Sequence, residues 1–181
     1  MMSIQDNFLT ESECENIIYK YSISRKFKAL RYHHNVKYPD RSFPYFVRDV
    51  DITNLIRDRL DSKGLFKGYK IYDHIRLVHY HPGQNTPVHK DLKYLNNSMR
   101  AEYTIFVYLN QDFSGGKTRI YGVSTSDNKN FIHGMGDCND KHIDISPSVG
   151  KMVIYDINTV HEGLRVDCGE KLILICKLFH E

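Results

Sequence analysis

Apolar residues at Cys14, Ile17, Ile18 and Tyr21 recur at i, i+3, i+4 and i+7 through an otherwise polar stretch, and this spacing predicts an amphipathic helix. Thr10-Glu11-Ser12-Glu13 stands at its start as a capping box, in which the threonine and the second glutamate can each satisfy a free backbone N–H. A second helix is predicted over 51–60, with Ile52, Leu55, Ile56 and Leu60 on one face. Both stripes are expected to pack on the outside of a sheet. From Tyr69 onward the period shortens. The runs 75–80, 103–109, 117–121, 142–145, 151–155 and 171–179 read as strands separated by clusters of Gly, Asn, Asp, Ser or Pro. Ser114-Gly115-Gly116 reads as a tight turn between two of them, since glycine tolerates positive φ. The two basic and polar stretches 31–48 and 122–142 show neither period and read as surface loops.

Many short strands with two preceding helices predict a mainly β fold with flanking helices (α+β), a double-stranded β-helix or jelly roll. The 181 residues suffice for one domain that buries its own core. Residues 1–68 are expected to form helical support and 69–181 the jelly-roll core. No repeat or low-complexity linker interrupts them.

The composition narrows the classes of partner. A formal net charge of +3 is too small to argue for nucleic acid. No stretch approaches eighteen apolar residues and residues 1–10 carry no charged-then-apolar leader, so neither a membrane span nor a secretory signal is expected. Cys14, Cys138, Cys168 and Cys176 form no C-x-x-C pair, and reduced cysteines in a cytoplasmic or nuclear setting are the expectation.

Two histidines and a carboxylate supply the chemistry. His89 and Asp91, at i and i+2, would share one face of an extended segment, so that a single strand offers two metal ligands. His161 follows the apolar run 152–155 and would come alongside in a sheet sandwich. Such a facial triad can hold Fe(II) with coordination positions left open. Lys171 follows ten residues after His161, at the head of a run apolar on both faces. A buried ammonium there needs an anion, which the far carboxylate of 2-oxoglutarate would supply. Arg165 competes for that role. His133, Cys138 and His142 are spaced too irregularly for a second metal centre to be preferred over a loop.

At these residues the chain resembles the 2-oxoglutarate and Fe(II)-dependent dioxygenases, in particular the prolyl 4-hydroxylase-like branch. The stretches that carry the likeness are LVHYHPGQNTPVHKDL, YTIFVYLNQDFSGGKT and SVGKMVIYDINTVHEGLRVDCGEKLILICKLF, with DNFLTESECENII near the N-terminus. The resemblance implies His89, Asp91 and His161 as iron ligands, Lys171 as the salt-bridge partner of 2-oxoglutarate, and Tyr80 and Thr104 as its hydrogen-bond partners. It implies O2 as the second cosubstrate, ascorbate as a candidate reductant, and hydroxylation of an unactivated C–H bond. A protein prolyl residue is the leading substrate, with a small molecule as the alternative. Related halogenases lack the carboxylate ligand, so Asp91 favours hydroxylation.

Three other functions stay open on the sequence. A zinc hydrolase could use the same three ligands with Glu162 as general base. A nucleic-acid demethylase of the same superfamily would need an arginine-rich motif after the distal histidine, where only Arg165 stands. The third is a catalytically silent jelly-roll binding module. Loops 31–48 and 122–142 are expected to flank the metal and select the substrate.

Overall fold

In a computed structural model the chain is described over residues 2–22, 42–93, 99–122 and 141–180. The capping box forms as its sequence predicts. Thr10 N–H donates to Glu13 Oε2 at 2.8 Å and Glu13 N–H to Thr10 Oγ1 at 3.2 Å, opening helix α1 (Glu11–Ser22). Helix α2 (Val50–Ser62) starts at Asp49, whose carboxylate accepts the Ile52 N–H at 3.1 Å. The Tyr21 hydroxyl and the Lys20 ammonium, the latter at 2.7 Å, also bind Asp49, so α1 is tied to the cap of α2.

The strands are β1 (Met2–Gln5), β2 (Phe43–Arg48), β3 (Lys70–Ile71), β4 (His74–Tyr80), β5 (Thr86–His89), β6 (Tyr103–Tyr108), β7 (Phe113–Gly115), β8 (Thr118–Tyr121), β9 (His142–Ile145), β10 (Met152–Asp156), β11 (His161–Gly163), β12 (Val166–Gly169) and β13 (Lys171–Phe179). The major sheet runs β1-β10-β6-β13-β4-β2, with β3 paired to the far end of β13. A minor sheet runs β5-β11-β8-β9, and β7 pairs with β12. Every pairing is antiparallel. This two-sheet β architecture with helices on one side is the jelly roll that the strand pattern predicts.

Alternation along the central strands creates two cores. Ile75 and Leu77 of β4, Ile105 and Val107 of β6, and Leu174 and Cys176 of β13 meet Ile17, Tyr21, Ile52, Ile56 and Leu60 of the helices. Val78, Tyr80, Phe106, Tyr108, Tyr155 and Ile173 point the other way and meet Ile120 and Ile145 of the minor sheet. The helices therefore cover the outer face of the major sheet. The inner core opens into a cavity.

Three expectations need correction. Residues 43–48, read as the end of a loop, form β2 at the edge of the major sheet, where Pro44 is tolerated because an edge strand need not donate on both sides. Ser114 and Gly115 belong to β7, and no reversal follows: the chain runs on through Gly116 (φ 61) into β8, with Gly115 opposite Val166 and Thr118 opposite Gly163 on one returning segment. Strands β1 and β2 belong to the major sheet, so the first 68 residues contribute strands as well as helices. Residues 31–41 and 123–140, including His133 and Cys138, lie outside the described residues. Close approach fixes one glycine: Gly150 (φ 72) accepts the Phe8 and Leu9 N–H groups, and a Cβ there would stand 1.9 Å from the Leu9 carbonyl oxygen.

Candidate metal centre and its cavity

Strands β5 and β11 pair His89 directly with His161, and their rings lie 4.3 Å apart between centroids. His89 Nδ1 is 2.8 Å from the Pro87 carbonyl oxygen and His161 Nδ1 is 3.1 Å from that of Thr159. A carbonyl can only accept, so each Nδ1 carries the proton and each Nε2 keeps its lone pair. Burial, together with the charges of His89 and Lys177, lowers the His161 pKa to about 4, which keeps the imidazole neutral at physiological pH. Neutral imidazole is the form that binds metal.

Asp91 completes the group. Its Oδ1 lies 3.8 Å from His89 Nε2, and the ligand atoms of His89, Asp91 and His161 all fall within 4.8 Å of one another. The expectation that one strand carries both His89 and Asp91 is corrected, because β5 ends at His89 and Asp91 lies in the segment beyond it.

The other carboxylate oxygen is firmly held. Asp91 Oδ2 accepts from Lys177 Nζ at 2.7 Å, Thr104 Oγ1 at 2.6 Å and the Tyr155 hydroxyl at 3.3 Å, while Arg76 approaches Oδ1 at 3.7 Å. Burial alone would raise this carboxyl, but Lys177, His161 and Arg76 outweigh it and hold the pKa far below the usual carboxylate range. The sheet register explains the convergence: Thr104 of β6 lies opposite Tyr155 of β10 on one side and Lys177 of β13 on the other.

Lys171 opens β13 and is only 1% exposed. Its ammonium donates to the Gly116 carbonyl at 2.7 Å and stands 4.6 Å over the Tyr80 ring and 5.5 Å from the Tyr108 ring. No carboxylate among the described residues pairs with it. Burial lowers its pKa to about 7. The hydroxyl of Tyr80, its cross-strand neighbour, is hydrogen-bonded to Thr86 Oγ1 at 2.8 Å, and either hydroxyl can donate.

His89, Asp91, His161, Lys171 and Tyr80 thus line one cavity of about 260 Å³, walled by the apolar Phe106 and Ile173. Thr104, predicted beside the cosubstrate, is not part of that lining and instead grips Asp91. Arg165 is exposed, away from the cavity and next to Gly83. Glu162 follows His161 on β11 and turns to the Tyr121 hydroxyl and Arg119, so it does not face the three ligands. From the expected substrate loops, Ser42 and Pro44 reach the cavity.

Sequence reading passed over Lys177, Tyr155 and Arg76. Lys177 had a usable signal, since six residues from Lys171 along a strand it must share that residue's face.

Comparison with known proteins gives the family and the fold. The family model described as the 2OG-Fe(II) oxygenase superfamily matches residues 75–178. No curated protein matches the chain by sequence. Among solved structures, the viral collagen prolyl hydroxylase of Paramecium Bursaria Chlorella virus-1, in its 2OG complex, is similar with a TM-score of 0.64 and 20% identity, over 99% of this chain and 96% of that one. A prolyl hydroxylase from Trichoplax adhaerens, in complex with a hypoxia inducible factor peptide fragment, gives 0.63 at 16% identity, over 98% and 83%. A non-heme alpha ketoglutarate dependent carbocyclase from nogalamycin biosynthesis gives 0.70 at 13% identity, over 99% and 80%. At these identities the likeness concerns the fold.

Proposed function

The chain belongs to the 2OG-Fe(II) oxygenase superfamily, and from that premise we propose that His89, Asp91 and His161 hold the Fe(II) while Lys171 anchors 2-oxoglutarate, for hydroxylation of an unactivated C–H bond. One observation carries the reading: a ligand group of two imidazoles and one carboxylate shares its cavity with a buried ammonium that has no carboxylate partner among the described residues.

The donor set fits the metal. Both Nδ1 atoms are engaged by backbone carbonyls, so the two Nε2 atoms and Asp91 Oδ1 are the donors that would hold the metal. Asp91 Oδ2, occupied by Lys177, Thr104 and Tyr155, fixes the carboxylate plane. When bound, Fe(II) with 2-oxoglutarate and O2 supplies oxidative decarboxylation of the keto acid and transfer of one oxygen atom to the substrate. The protein positions the reactants and excludes water. Lys171 Nζ gives the distal carboxylate its counter-charge, the Tyr80 and Thr86 hydroxyls stand beside it, and Phe106 and Ile173 keep the wall dry.

A prolyl residue of a protein or peptide is the substrate class we favour. The resemblance of the sequence to the prolyl 4-hydroxylase-like branch and the fold shared with two prolyl hydroxylases support it. The same fold also serves a carbocyclase, so fold does not choose the product. The test is succinate formation from 2-oxoglutarate by the purified chain with Fe(II) and ascorbate, followed by mass analysis of proline-containing peptides for the gain of one oxygen. Succinate release that disappears in His161→Ala supports the metal assignment. Release unaffected by that substitution contradicts it. A peptide panel left unmodified by an active enzyme contradicts the prolyl reading alone.

A further inference from the structure

The geometry points to a second divalent-cation site, built by His79, His81 and Glu170 and suited to a Zn2+-class ion. It is independent of the iron reading and lies on the opposite face of the major sheet from Lys171 and Tyr80.

The face follows from strand parity. Val78 and Tyr80 of β4 point into the inner core, and Ile75 and Leu77 point outward. His79 has the outward parity, and His81, two residues on, shares it. Across the strand pair Lys171 lies opposite Tyr80 and Leu172 opposite His79, so Glu170 stands one step further along, beside His81 and outward. One imidazole near the end of β4, a second just beyond it and a carboxylate just before β13 therefore meet.

The distances suit coordination. His79 Nε2 is 3.0 Å from Glu170 Oε2, His81 Nδ1 is 3.5 Å from Glu170 Oε1, and the two imidazole rings are 4.4 Å apart between centroids. One ligand atom from each of the three falls within 4.8 Å of the others. Tetrahedral zinc with bonds of about 2.0–2.1 Å sets its ligand atoms roughly 3.3 Å apart, and the two imidazole–carboxylate separations, one to each Glu170 oxygen, lie near that spacing. Imidazole with carboxylate selects a borderline ion such as Zn2+ over Ca2+ or Mg2+, which take oxygen donors. Access is open at one side, because His79 is 8% exposed, His81 23% and Glu170 38%. A water would complete the tetrahedron.

The location gives the ion a task. His79 and His81 flank Tyr80 in sequence, and Glu170 precedes Lys171, so a metal bridging them staples β4 to β13 at the Tyr80–Lys171 pair. Cross-linking the two strands from behind holds both cavity residues in register. Both thereby gain a support that does not touch the substrate.

Chelator-treated full-length chain, titrated with Zn2+ against a competing chromophoric chelator, tests this. Three further proteins are compared: Asp91→Ala/His161→Ala, His79→Ala/His81→Ala, and Glu170→Gln in the Asp91→Ala/His161→Ala background. The expected result is that His79→Ala/His81→Ala binds one equivalent fewer than the parent, while Asp91→Ala/His161→Ala keeps that equivalent. Zn2+ should still raise the Tm of Asp91→Ala/His161→Ala. Adding Glu170→Gln, a change at the exposed rim that leaves the core intact, should weaken that binding by more than about tenfold, the lower bound for partners outside the ligand set, and remove the rise in Tm. Circular dichroism confirms that each variant is folded. The proposal is overturned if a folded His79→Ala/His81→Ala protein binds as many equivalents as the parent. It is equally overturned if Asp91→Ala/His161→Ala binds no Zn2+, or if Glu170→Gln leaves its affinity unchanged.

Discussion

Lys171→Met should strengthen the fold and disable the enzyme, because the ammonium is costly to the empty cavity and necessary to the filled one. Burial holds its pKa near 7 against an ordinary 10.5. At about 1.4 kcal/mol per pKa unit, the charged form is disfavoured in the fold by about 5 kcal/mol. Removing it leaves the Gly116 carbonyl without its donor, which costs about 1–3 kcal/mol. Below pH 7 the variant should therefore be more stable by about 2–4 kcal/mol, the difference of those two. The sign reverses with pH. In the wild type the penalty is complete below the folded-state pKa of about 7, shrinks as pH rises, and vanishes at the unfolded-state value of 10.5. There the lost hydrogen bond alone remains and the variant is the weaker protein. Urea melts across this range measure the crossing. Cosubstrate binding moves the other way. Losing one partner of a buried charge pair costs about 2–5 kcal/mol, which weakens 2-oxoglutarate binding by roughly 30-fold or more. Calorimetry on the metal-loaded chain measures it, and wild-type binding should also take up a proton near neutral pH. A variant that is less stable than the parent at pH 6, or that binds 2-oxoglutarate within about threefold of it, would refute the reasoning.

Lys177→Met breaks the buried pair with Asp91 and should destabilise the metal-free chain by about 3–5 kcal/mol, a deficit that thermal melts should show narrowing when Mn(II) is added. Thr104→Val removes the 2.6 Å bond to Asp91 and should weaken Mn(II) binding by about 10–100-fold in equilibrium dialysis, with the fold kept. Ile56→Ala, in the helix-covered core, should cost about 2–5 kcal/mol in denaturant melts yet leave kcat per folded molecule unchanged. Gly150→Ala demands a left-handed alanine whose Cβ overlaps the Leu9 carbonyl, and should cost more than about 2 kcal/mol by the same melts.

The sequence revealed what depends on local pattern. The α1 stripe and its capping box are contiguous, and 142–145 and 171–179 coincide with β9 and β13 because polar clusters bound them. His89, Asp91 and His161 stood out through their order and spacing with Lys171, and the structure brings all four to one cavity. Other features depend on pairing between distant segments. Strand β2 mixes basic, aromatic and proline residues, and only hydrogen bonds to β4 make it a strand. Thr104 reads as an ordinary β-branched strand residue, and its grip on Asp91 emerges from the register that sets it between Tyr155 and Lys177. Lys177 stands just beyond the apolar run 172–176, within the strand read over 171–179, and was given no role there. The pairing of Glu170 with His79 and His81 likewise needs the β4–β13 register.

A crystal structure of the chain loaded with Mn(II) and 2-oxoglutarate tests the central claim most directly. The account predicts the metal on His89 Nε2, Asp91 Oδ1 and His161 Nε2, with the distal carboxylate of the keto acid against Lys171 Nζ. A metal bound away from these three residues, or a keto acid anchored at Arg165 with Lys171 untouched, would contradict it.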